Sequence, residues 1–456
     1  MSTITAAEVI TELAPSFAGR LLQPTDSQFD DARRVHNGFV DKRPGVIARC
    51  LGAADVADAL ALAKKLGLDV AVRGGGHNVG GRGTIDNGLL IDLSLMKGLH
   101  VDPRARTARA EGGTLWKEFN RASQLHGLAT TGGVISSTGI AGLTLGGGLG
   151  WLMAKYGMAL DNLLSVDLVL ADGRAVRAAA DENPDLFWGV RGGGGNFGVA
   201  TSFEFGLHPV GPMITGGLIA HPISQAKDVL RVFRDAAARA SDDLMLVAGL
   251  LTGPDGVTKL AGIVVCHLGP QPQAEADLKP VKQFGTPLMD VIGPMPYSAQ
   301  NSMLDASYPR GARNYWKSHF MDQLTDAAID ALIDRFASCP TPMGNILLEH
   351  FHGAATRVPP THTAYALRKP GFNMLVLSQW MDAAHDTACI SWARDSYKAL
   401  QPFTGTNRYM NYMDHDDAAD ATLSAVYGPN LDRLRQVKAK YDPQNVFHHN
   451  VNIKPV

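Results

Sequence analysis

The sequence predicts an α+β chain of two domains, and three observations carry that reading. Its 456 residues exceed what one ordinary hydrophobic core fills. Its 49 glycines, above the usual share of about 7%, come in bursts between apolar runs. From about residue 211 glycine thins out, and amphipathic helices alternate with strand-like runs. The divisions are 1–210, 211–405 and a motif-dense tail, 406–456.

Thr5 caps a first helix, Ala6–Leu13, with Glu8 at capping-box spacing. A strand over 46–50 leads to an amphipathic helix over 55–66 that stops at Gly67. A second strand, 69–73, runs directly into glycines. A nicotinamide-type dinucleotide unit places its glycines after the first strand and opens a helix with them. Here no helical period follows between 80 and 95, which argues against that site. Strands over 99–101 and Thr107–Glu111, a helix over 115–126, a glycine block over 130–150, a strand within 161–174 ending in an Asp172-Gly173 turn, and a glycine burst over 187–199 complete the first part. In the second part, helices over 225–238, 325–337 and Asp386–Leu400 alternate with strands Leu244–Thr252, 260–267, 345–352 and 373–380.

Charged residues make up 19% with a net charge of −2, so no basic excess exists for nucleic acid or an anionic membrane. No 18-residue apolar run exists for a membrane span. The opening Met1-Ser2-Thr3-Ile4-Thr5 lacks a basic stretch followed by an apolar one, and Cys50, Cys266, Cys339 and Cys389 form no C-x-x-C pair. Free thiols and a cytoplasmic location are expected. His448-His449, with His415 and the acids of 414–417, match no zinc or iron spacing, so no metal is expected.

The most informative stretch is Arg73-Gly74-Gly75-Gly76-His77-Asn78-Val79-Gly80-Gly81. Glycines let several backbone N–H groups converge on an anion such as a diphosphate. A histidine directly behind three of them puts a nucleophilic nitrogen beside the bound ligand.

This run resembles the diphosphate loop of the vanillyl-alcohol-oxidase superfamily. Four blocks in order, 73–81, 132–150, 192–199 and the tail 409–455, are similar to the berberine-bridge-enzyme-like FAD-linked oxidases of bacterial type. The resemblance implies a two-domain PCMH-type FAD-binding fold. Its flavin domain is built from both chain ends, and its substrate domain is an antiparallel sheet covered by helices.

FAD, bonded covalently to His77, is the implied cofactor. Arg73, Gly74, Gly75, Gly76, Asn78, Val79, Gly80 and Gly81 would cradle the diphosphate. Gly132, Gly133, Thr138, Gly139, Gly142, Gly146, Gly147, Gly148 and Gly150 would admit the ribityl chain and ring. Asn196, Gly198 and Val199 would lie towards the adenine, with Asn450 and Asn452 joining from the tail. Many members carry a second covalent link from a cysteine whose position here is Ile135, so one bond only is implied. Before Gly139, a Val favours reaction with oxygen in the family; here Thr138, of similar volume, is compatible with an oxidase.

For the catalytic base the resemblance points to Tyr409, with Asn411 and Tyr412 beside it in the tail motif. Plant members have an acidic or amide residue where Leu375 falls here. Glu349, His350 and His352 are substitutes, and strand alternation puts the two histidines on one face and Glu349 on the other. The implied activity is hydride transfer from a C–H of a small alcohol, amine or hydroxylated secondary metabolite to flavin N5. Oxygen then reoxidises the flavin and hydrogen peroxide leaves. A dehydrogenase with another acceptor is the alternative, and after it a flavin-binding protein without turnover. The expected partners are the small-molecule substrate and oxygen, in a monomer or homodimer.

Overall fold

A computed structural model describes residues 5–417 and 420–456; residues 1–4, on which the reading of the chain start rests, lie outside it. The first helix, Ala6–Leu13, carries the expected capping box, with Thr5 and Glu8 bonding each other's backbone N–H. A four-stranded sheet follows in the order Arg20–Leu22, Val46–Arg49, Leu89–Asp92, Val70–Arg73, and its last three strands are parallel. The helix Ala53–Leu66 makes the crossover and ends at Gly67, whose φ of 65° the left-handed cap needs. Val46, Ala48, Leu89 and Ile91 share a core with this helix.

A five-stranded antiparallel sheet runs Leu99–Asp102, Thr107–Glu111, Val199–Gly206, Leu163–Val169, Ala175–Ala179. Its core also contains Met410, Met413, Leu423, Val426, Tyr427, Leu434, Val437, Val451 and Ile453, so the tail packs into the glycine-rich half. The fully buried ion pair Lys438–Asp442 fixes this docking, because Lys438 also donates to the carbonyls of Asn196 and Phe447.

The third layer is an eight-stranded antiparallel sheet drawn from residues 213–380. Its main path is Met289–Asp290, Met213–Pro222, Lys259–His267, Leu244–Thr252, Asn345–Phe351, Gly371–Trp380, Arg313–Met321, and Gly293–Pro296 also pairs with Met213–Pro222. Helices Ala226–Ala237, Asp326–Ala337 and Asp386–Leu400 cover one face. Alternation then decides what faces the glycine-rich half. Ile346, Leu348, Met374 and Val376 pack under the helices, while Leu347, Glu349, Leu375 and Leu377 point the other way.

Arg313–Met321 does not read as a strand in the sequence because Asn314, Lys317, Ser318 and His319 interrupt its apolar pattern. The fold buries all four, and Lys317 is paired: its Nζ reaches Asp416 at 2.6 Å and Asp417 at 2.8 Å. Within the glycine blocks lie two short helices, Ile140–Leu145 and Pro184–Val190, whose lengths give no readable period.

Candidate active site

The strand Val70–Arg73 delivers the first glycine loop to a deep cleft that encloses about 1800 Å³ of empty space, part of it open to solvent. The loop meets the second glycine block at van der Waals limit. A Cβ on Gly75 would lie 2.5 Å from the Gly139 backbone, and Gly76 has φ of 65°. These glycines therefore bring two backbone segments together on one wall. Arg73, Gly74, Gly75, Gly76, His77 and Asn78 line the cleft. Arg73 is neutralised by Asp92, with Nη2 to Oδ2 at 2.8 Å.

His77 stacks on His36, with ring centroids 3.8 Å apart and 22° between planes, and its Nε2 lies 3.1 Å from Ser137 Oγ. Burial, then the neighbouring His36, holds its pKa down at about 3, so the ring is neutral.

Other expected cofactor residues divide by position. Gly133, Thr138, Gly139, Gly142, Gly146, Gly198 and Asn450 line the cleft, as does Ile135. The rest form the supporting layer behind it. The Val79 carbonyl accepts from Asn37, Gly80 abuts the backbone of Asp414 and His415, and Gly81 abuts Val40. Gly132 lies on the Trp116 ring, while Gly147, Gly148 and Gly150 pack on Met158, Ala159 and the Gly132 carbonyl. Asn196 donates to Gly193 and Val451 and accepts from Ile453 N, Val199 is buried in the core, and Asn452 is absent from the lining. None of these residues lines the cleft.

The cleft leaves polar atoms that call for a ligand. Arg82 Nε, His449 Nε2 and Asn450 Oδ1 are buried without a hydrogen-bond partner, and all three residues line it. The Arg82 guanidinium donates to the carbonyls of Asn450 and Asp414 at 2.8 and 3.3 Å and forms no ion pair among the described residues. A buried cation facing a glycine cradle fits a diphosphate. Sequence reading stopped one residue short of Arg82. The fold also brings Asp69 to His448 and His449, their ligand atoms within 4.8 Å of one another, with no fourth ligand among the described residues.

The opposite wall comes from the eight-stranded sheet, the turn before its strand Arg313–Met321 and the tail: Leu304, Tyr308, Trp316, Leu347, Glu349, Leu375, Leu377 and Tyr412. Glu349 is buried and has no cationic partner among the described residues. Asn373 Nδ2 donates to Oε2 at 2.7 Å, and the Tyr412 hydroxyl donates to Oε1 at 3.1 Å. Burial pushes its pKa up to about 7, against the opposing pull of those two bonds. Asn373 stands two residues before Leu375, on the same face of the strand Gly371–Trp380.

Two expected catalytic residues do not reach the cleft. Tyr409 is 1% exposed and is absent from the lining. Its oxygen accepts from Gly148 N at 2.9 Å, Leu149 N at 3.3 Å and Asn411 Nδ2 at 2.9 Å, and burial raises its pKa to about 12. It braces the second glycine block, and through Asn411, which does line the cleft, it braces that wall. His352 stacks on His350 at 3.8 Å, away from the cleft, with Nε2 near the Ser241 carbonyl. Ser137, His36, Tyr308 and Trp316 escaped the sequence reading because no local pattern ties them to the loop.

The cleft thus sets a glycine-cradled histidine opposite an apolar wall that carries one buried carboxylate. The FAD binding domain family matches residues 44–179, and the berberine and berberine-like family matches residues 408–454. (R)-6-hydroxynicotine oxidase of Paenarthrobacter nicotinovorans is 33% identical over 96% of this chain and 97% of its own. The structure of 6-hydroxy-D-nicotine oxidase from Arthrobacter nicotinovorans superposes with a TM-score of 0.89 at 30% identity, covering 97% of this chain and 99% of that one. Glucooligosaccharide oxidase from Acremonium strictum, described with a 6-S-cysteinyl, 8α-N1-histidyl FAD, shares the fold with a TM-score of 0.88 at 23% identity, over 98% and 99% of the two chains. The chain belongs to the berberine-bridge-enzyme-like FAD-linked oxidoreductases. Among the described residues no helix is long and apolar enough to cross a membrane.

Proposed function

We propose that the chain is an FAD-dependent oxidase that holds its cofactor covalently through His77. Its substrate is a small, largely apolar molecule oxidised at a C–H beside an amine nitrogen or a hydroxyl, and Glu349 is the base. The observation that carries this is the buried carboxylate of Glu349, without a counter-ion, in the same cleft as the neutral His77. Bound FAD supplies the hydride acceptor and passes the electrons to dioxygen.

Glu349 takes the substrate's O–H or N–H proton as the carbon gives up hydride. A base with pKa near working pH is well matched to that step. Tyr412 and Asn373 fix its two oxygens. Leu304, Leu347, Leu375 and Leu377 supply apolar contact and exclude water. The Trp316 indole N–H is spent on Asn314 and the Tyr308 hydroxyl on Asn345, so this wall offers few partners for a sugar. The small hydroxylated aromatic amine that names the 6-hydroxynicotine oxidases agrees with such a lining. Thr138 on the cleft wall supports access of oxygen. The test is a panel of amines, hydroxylated aromatics, alkaloids and sugars, scored by anaerobic flavin bleaching and by peroxide release in air. Bleaching by sugars alone would overturn the substrate class, and bleaching without peroxide would make the protein a dehydrogenase.

A further inference from the structure

We propose that Ser137 and His36 are positioning residues that set His77 for covalent attachment: Ser137 holds Nε2, His36 holds the ring plane, and Nδ1 is left as the nucleophile. The inference rests on the reading of His77 as the flavin ligand.

A neutral imidazole carries one N–H, and the partner of one nitrogen fixes which nitrogen keeps a lone pair. Ser137 Oγ lies 3.1 Å from Nε2. A hydroxyl can donate or accept; with Ser137 Oγ as acceptor from Nε2–H, the lone pair is on Nδ1. His36, stacked at 3.8 Å, stops the ring from turning about its χ2 bond. Both neighbours are themselves anchored. His36 N donates to the Gly76 carbonyl at 2.9 Å, and its own carbonyl accepts from Gly311 N at 2.9 Å. Beside Ser137, Ser136 donates through N and Oγ to the Asp305 carboxylate at 2.9 and 2.5 Å. Asp305 and Gly311 thus anchor the segments that carry Ser137 and His36, so the second part of the chain supports the two neighbours of His77.

Attachment forms one bond from Nδ1 to the flavin 8α-methyl carbon. One proton leaves that carbon and one leaves the imidazole through Nε2 towards Ser137. The bound cofactor would take up the two electrons, and dioxygen would remove them together with the two protons as hydrogen peroxide. Ser137, a neutral hydroxyl, would only relay the Nε2 proton, which would leave with the other as hydrogen peroxide.

The experiment measures attachment itself. Protein made under riboflavin limitation is mixed with FAD in air, and acid-stable flavin is followed as fluorescence of the denatured band. Ser137→Ala should attach at least tenfold more slowly while still binding FAD that acid releases. Ser137→Thr should restore most of the rate. His36→Ala should slow attachment, and His36→Phe, which keeps a stacking ring, should recover part of it. Proteolysis of the wild type should yield a His77 peptide carrying the flavin on Nδ1. Linkage through Nε2 would overturn the proposal whether or not the variants fold, and so would wild-type attachment rates in both alanine variants. A wild type whose flavin is wholly released by acid would remove the covalent reading itself.

Discussion

The Tyr412 hydroxyl donates to Glu349 Oε1 at 3.1 Å, and this contact ties the tail to the sheet along one wall of the cleft. Tyr412 is held edge-on by Trp316 and Tyr409, at 6.0 and 4.9 Å between ring centroids. The carboxylate is therefore placed by rigid neighbours from three segments of the chain. It is the only carboxylate among the residues that line the cleft.

Glu349→Gln should leave flavin content unchanged and slow anaerobic flavin reduction by about 10²–10⁴-fold, the range of a lost general base. Burial raises Glu349 from 4.5 to about 7, so in the wild type the reduction rate should climb with pH through about 7 and then level. The same shift acts on stability with the opposite sense. Between pH 4.5 and 7 the unfolded chain has released this proton and the folded one keeps it, so this group's contribution falls as pH rises. The Gln variant should lose that slope in denaturant titrations. A rate that ignores pH between 5 and 9 would remove Glu349 from the role.

Tyr412→Phe and Tyr409→Phe should separate cleanly. Tyr412→Phe removes a donor to the base and should shift the pH midpoint of reduction upward, because the ionised carboxylate loses a stabilising bond. Tyr409→Phe leaves Gly148 N and Leu149 N without an acceptor, and should lower the melting temperature while keeping the pH midpoint. The reverse pattern would return the base to Tyr409.

The wild type should stay yellow after acid precipitation, with all flavin on His77. His77→Ala should release its flavin. Ile135 cannot form a thioether, and none of Cys50, Cys266, Cys339 and Cys389 lines the cleft. Peptide mapping that finds flavin on a cysteine would overturn the single link.

The glycine-rich wall of the cleft was largely legible in the sequence, and the opposite wall only in part. Glycines at close approaches leave a local signature, because Gly75 and Gly139 must lie side by side whatever surrounds them. Period-two alternation also gave the face of Glu349 against His350 correctly. What pattern could not give was depth. Tyr409 and Tyr412 stand three apart on one short turn, and only tertiary packing decides that the first supports Gly148 while the second meets the cleft. Likewise Asn373 and Glu349 pair across strands whose partnership is set by the whole sheet.

Thr138→Leu should slow reoxidation of the reduced flavin by oxygen and leave reduction by substrate nearly intact. Thr138 lines the cleft, and its backbone alone serves the loop, N–H to Ile135 and carbonyl to Trp116. A larger side chain therefore changes the space above the cofactor wall without breaking a bond. Stopped-flow mixing with air checks this. A wild-type reduced flavin that is stable in air would make the position irrelevant to oxygen.

Arg82→Met should weaken FAD binding by on the order of 10²-fold when measured in the His77→Ala background, where the covalent bond no longer masks affinity. Truncating one partner of a buried charge pair costs about 2–5 kcal/mol, and Arg82 is the cleft's one cation without a carboxylate, since Arg73 is spent on Asp92. Burial already holds the Arg82 guanidinium below its ordinary range, so a diphosphate would relieve a standing cost. Met keeps the stem's apolar volume, which separates lost charge from lost packing. Equilibrium dialysis with FAD, and with riboflavin as the ligand that lacks the diphosphate, gives the decisive comparison. FAD affinity should fall towards that of riboflavin, and riboflavin affinity should not move. Equal losses for both ligands would mean that Arg82 only shapes the loop.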